Sequence, residues 1–104
     1  AMEEWAYYVE AFSTYAEGDG TLLDNVLIYA LTDHGYARVH SLDGMPMFTA
    51  GRAGGKLKSG LRIDGGGSPV TRMGLTAMRV MGLDVKEWGT KSNNTSKEIG
   101  DILV

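Results

Sequence analysis

Cysteine is absent from the chain, which excludes disulfides and thiolate metal sites. Histidine is scarce, with 2 residues, so any metal has to be held by these imidazoles together with carboxylates. No apolar run approaches the roughly 20 residues that a membrane span needs, and no signal-peptide pattern is visible; a membrane is not among the expected partners. Nor is there an excess of positive charge. The formal net charge is −3, which speaks against a general nucleic-acid binder. Glycine, by contrast, is abundant: 15 of 104 residues is about twice the usual share of roughly 7%. Most of the excess falls within 44–67, so the middle of the chain is rich in loops. The remainder, 43% apolar and 22% charged, is the composition of one ordinary globular domain with a modest core.

The longest apolar run is Val26-Leu27-Ile28-Tyr29-Ala30-Leu31, and it ends in Thr32-Asp33-His34-Gly35. Such a run reads as a strand buried on both faces, the kind found in parallel sheets covered by helices. Before it, Trp5, Tyr8, Val9, Phe12, Tyr15 and Ala16 recur at spacings of three and four, which predicts an amphipathic helix over 3–17. Glu17-Gly18-Asp19-Gly20 stops that helix and turns the chain. Pro46 to Gly51 predicts a second short strand, and a short edge strand is expected around 56–62. Ser68-Pro69 opens a helix whose apolar face is Val70, Met73, Ala77, Met78 and Met81, with Gly82 just past its end. Trp88 anchors a docking segment. The order of helices and strands argues for an α/β layered domain over 2–90, followed by a polar tail over 91–104.

Two constellations carry chemical proposals. Asp33, His34 and His40 lie at the carboxyl end of the predicted central strand, the edge at which ligands bind in open α/β sheets. One carboxylate and two imidazoles within eight residues are the ligand types of a divalent cation, Zn²⁺ or Mn²⁺ rather than Ca²⁺. The alternative is a solvated loop in which Asp33 caps a turn and the imidazoles face water. The second constellation is Arg52, Lys56 and Lys58 in the glycine-rich stretch 51–60, which either cradles an anion with backbone N–H groups and positive charge or forms a solvated hairpin. It matches neither the P-loop nor the dinucleotide fingerprint. No serine stands in a Gly-x-Ser-x-Gly context.

Taken together, several segments resemble one known family. They are Gly18-Asp19-Gly20-Thr21-Leu22-Leu23-Asp24-Asn25 with the apolar run behind it, then Thr32-Asp33-His34-Gly35, His40, and Met45 to Arg62 with its Ala50-Gly51-Arg52-Ala53-Gly54-Gly55 core. With Ser68-Pro69 and Trp88-Gly89 further on, residues 18–90 resemble the carboxyl-terminal part of uncharacterised bacterial sulfatase-like proteins of the alkaline phosphatase superfamily. Full-length relatives are often exported. The resemblance implies part of a three-layer α/β sandwich with a mostly parallel sheet. It implies that Asp33 and His34 share one metal and His40 serves a second, in a hydrolase of phosphate or sulfate esters. The family's nucleophile and further ligands lie upstream of anything present here, so the piece is expected to be inactive by itself. It is expected to associate with copies of itself or with a missing upstream segment, because exposed sheet edges and helix faces are costly in water. The other expectation is a non-enzymatic module that uses the same scaffold for self-association or partner binding.

Overall fold

The computed structural model describes residues 1–104. Helix α1 (Met2–Thr14) is followed by a hairpin of β1 (Ala16–Glu17) and β2 (Gly20–Thr21) and a single helical turn, α2 (Leu22–Asn25). Strands β3 (Ile28–Leu31) and β4 (Met47–Ala50) come next, then a long irregular stretch and helix α3 (Thr71–Val80). Three 3₁₀ turns, Ala37–Val39, Lys91–Asn93 and Gly100–Ile102, complete the order.

The expected three-layer sandwich with a parallel sheet, alkaline-phosphatase-like, is not what the chain forms. It has two separate two-stranded sheets, both antiparallel. β3 pairs with β4 alone, from Ile28 opposite Ala50 to Leu31 opposite Met47. The connection explains the direction. A parallel neighbour needs a crossover, usually a helix, that carries the chain back to the same end. Residues 32–46 instead fold on themselves, with the Gly35 N–H donating to the Ser41 carbonyl at 2.8 Å and the Ser41 N–H to the Tyr36 carbonyl at 3.2 Å. The chain therefore re-enters beside the strand it has just left. The apolar run overstated burial for the same reason: Ile28 is buried, whereas Leu31 is exposed, because no second layer covers the far face.

Helix α1 ends three residues short of its expected limit. The Ser13 and Thr14 hydroxyls donate to the Glu10 and Ala11 carbonyls, and Tyr15 is already extended. No residue of α1 is buried; Trp5, Val9 and Phe12 are half-covered, and Trp5 lies 6.4 Å from Phe48 of β4, ring to ring. The Gly20-Thr21-Leu22-Leu23-Asp24 segment has a local cause. Thr21 caps α2 and Asp24 reaches back to the Thr21 N–H at 2.8 Å, a reciprocal capping box.

The glycine-rich stretch closes the other end of α2. The N–H groups of Arg52, Ala53 and Gly54 donate to the carbonyls of Leu23, Val26 and Asp24 at 3.1, 2.9 and 2.9 Å. These are the groups that a helix end leaves without partners. Gly51, at φ +95°, passes so near Val26 that a Cβ would stand 3.0 Å from its carbonyl carbon. Beyond this clasp, Ala53 and Leu57 pack with Val80 of α3 in a small core flanked by Leu27, Ile102 and Leu103.

Helix α3 begins two residues later than Ser68-Pro69 predicts. Ser68 accepts a hydrogen bond from Arg72 (3.0 Å) instead of capping. Its end follows the sequence closely: Gly82, at φ +92°, donates to the Arg79 carbonyl and Leu83 to the Met78 carbonyl, both at 3.0 Å. Met73, Leu75, Thr76 and Val80 are its buried residues, and Met81 is exposed.

Candidate functional site

The loop 32–46 brings Asp33, His34 and His40 together. The Thr32 hydroxyl donates to the His34 carbonyl at 2.7 Å, fixing the turn that leaves β3. Gly35 permits the loop to close, since a Cβ there would stand 2.9 Å from the carbonyl carbon of Asp43. His40 follows the 3₁₀ turn in the left-handed region, at φ 53°, with its N–H bonded to the Ala37 carbonyl. That conformation returns its ring to His34. The two imidazoles meet edge to face, centroids 4.5 Å apart and planes at 73°.

His34 Nδ1 lies 3.2 Å from Asp33 Oδ1, with the imidazole 25% and the carboxylate 92% exposed. A carboxylate so exposed adds little stability through this contact. As the three side chains stand, no group of three or more His, Asp and Glu residues is arranged to hold a metal ion. The loop supplies an imidazole beside a second imidazole and an acid.

The basic residues of the second constellation separate. Lys56 Nζ donates to the carbonyl of Val80, the last residue of α3, at 2.9 Å, where a cation complements the negative helix end. Lys58 Nζ points to the Asp101 carbonyl at 3.4 Å. Arg52 borders an open cavity of about 480 Å³ lined otherwise by glycines, Asn25 and three acids, Glu17, Asp19 and Asp24. Of the backbone N–H groups in 51–60, those of Arg52, Ala53 and Gly54 clasp α2, those of Gly55 and Leu57 turn back to the Arg52 carbonyl, and that of Lys58 bonds to the Ile102 carbonyl.

Two arginines outside both constellations, Arg72 and Arg79, hold more of the molecule together than any of these. Arg72 donates to the carbonyls of Lys97 and Glu98 at 3.3 and 2.8 Å. Arg79 donates to the carbonyls of Val85 and Lys86 and pairs with Glu98 at 3.0 Å. Between them the buried Thr76 hydroxyl accepts the Ile99 N–H at 2.9 Å and donates to the Arg72 carbonyl at 2.6 Å. Their one signal in the sequence is the spacing of 72, 76 and 79, which places them along one side of a helix.

No protein-family model, no curated protein and no solved structure matches the chain.

Proposed function

We propose that the chain is a non-enzymatic assembly module that works by self-association. The surface carries this reading. At 11.2 kDa a compact monomer is expected to expose roughly 5,700 Å², whereas this chain exposes 7535 Å². The excess, about 1,800 Å², exceeds the roughly 800 Å² that each partner contributes to a standard protein interface. Only 8 of 104 residues are buried, while large side chains such as Tyr7, Leu31, Tyr36, Leu42 and Met81 are more than half exposed. Covering such a surface by association is favourable at about 25 cal/mol per Å² before the cost of ordering two partners. Light scattering from about 1 to about 300 μM, a span that includes weak interfaces, should give masses rising above the monomer. A monomeric mass across the whole span refutes self-association.

A second reading, the carboxyl-terminal portion of a sulfatase- or phosphatase-like metal-dependent hydrolase, inactive by itself, draws support from the juxtaposition of Asp33, His34 and His40. Calorimetric titration with Zn²⁺ or Mn²⁺ tests it directly. Binding heat that disappears in His34→Ala supports the reading, and the absence of heat in the unaltered chain retires it. Under this reading neither a phosphomonoester nor an arylsulfate is turned over by the chain alone.

A further inference from the structure

We infer that Leu61–Asp64 is a strand awaiting a partner, and that the partner is the same segment of a second copy, paired antiparallel. The inference rests on the self-association proposed above and assigns it a place. Residues 61–64 neither donate nor accept a single backbone hydrogen bond within the chain. Turns at Gly60 (φ +74°) and Gly66 (φ +56°) set the segment off from its surroundings. A row of unpaired N–H and C=O groups is a template for another strand. Along the sequence apolar and charged residues alternate, Leu61 and Ile63, 54% and 39% exposed, with Arg62 and Asp64, the pattern that puts the two kinds on opposite faces once the segment is paired.

Charge decides the occupant and the direction. Arg62 forms no ion pair within the chain; the three that exist involve Glu4, His34 with Asp33, and Arg79 with Glu98. When two copies pair antiparallel about Ile63, each Arg62 stands opposite the Asp64 of the other copy. Ile63 then faces Ile63, and Leu61 reaches the same pair diagonally. Parallel pairing in register sets Arg62 against Arg62 and is disfavoured. The plus–minus order around a central isoleucine is thus complementary to itself in one arrangement only.

The test uses sedimentation velocity on the full chain and two charge reversals. Arg62→Asp alone and Asp64→Arg alone each set like charges opposite one another twice per dimer. Each is expected to raise the dimer Kd roughly tenfold, the sum of two cross-strand pairs turned from attraction to repulsion. An equimolar mixture of the two variants restores the opposite-charge pairs and is expected to form the heterodimer with close to the original affinity. Recovery requires both variants to be folded, so circular dichroism of each variant alone accompanies the test; for Asp64→Arg it shows whether loss of the Asp64 contact to the Gly66 N–H, at 2.8 Å, is tolerated. A dimer that ignores both reversals, or a mixture no tighter than its components, overturns this inference while leaving self-association intact. A monomeric unaltered chain removes both.

Discussion

Replacing Gly74 by alanine sets two known effects against each other. Gly74 sits inside α3 under the indole of Trp88; a Cβ there would stand 2.7 Å from Cε3, 2.9 Å from Cη2 and nearer still to Cζ3. These are ring atoms of a side chain whose backbone is tied down, since Trp88 and Thr95 exchange hydrogen bonds of 2.9 Å in both directions. The ring must therefore lift from the helix. Trp88 is 46% exposed, so about half of its side chain is covered. That cover amounts to roughly 100 Å², worth about 2.5 kcal/mol. Alanine returns about 1 kcal/mol through its better helix propensity, which leaves Gly74→Ala destabilising by about 1–2 kcal/mol. Urea unfolding followed by circular dichroism measures the difference, and Trp88 emission should shift to the red as the ring enters water. Trp88→Ala removes the obstacle, so in that background Gly74→Ala should stabilise by about 1 kcal/mol. The same sign in both backgrounds would show that the indole does not limit this position.

Thr76→Val keeps the shape of a fully buried side chain but leaves the Ile99 N–H without its acceptor. A loss of about 1–3 kcal/mol is expected, with faster amide exchange at Ile99, and Thr76→Ser should recover most of it; unchanged exchange in the valine variant would refute the link. Burial holds the Tyr29 phenol above its ordinary range. The folded state then binds the proton more tightly than the unfolded one, so the contribution is fully present below about pH 10 and is lost as pH rises through the folded value. Tyr29→Phe should accordingly lose less stability between about pH 8 and 11 than the unaltered chain, and equal alkaline slopes in urea midpoints would contradict this assignment.

The parts of this protein that its sequence determines are those whose cause lies within a few residues. The spacing of Trp5, Val9 and Phe12 makes a helix, Gly18 turns a hairpin, and Gly82 ends α3, its N–H bonding to the Arg79 carbonyl and that of Leu83 to the Met78 carbonyl. The Thr21–Asp24 capping box was equally local and could have been read from the spacing of its two side chains. Tertiary structure decided what depends on where a segment is delivered. An apolar run such as Val26–Leu31 is compatible with a buried parallel strand or a half-covered antiparallel one, and the folded-back loop 32–46 selects the second. Glycines at 51–55 permit an anion cradle or a helix clasp, and the free carbonyls at the end of α2 claim them. His34 and His40 were candidates by type and neighbours only by conformation, because the left-handed turn at His40 is what brings the rings together. Periodicity and capping act over one or two turns of chain, whereas pairing partner, strand direction and burial are set by groups distant in sequence.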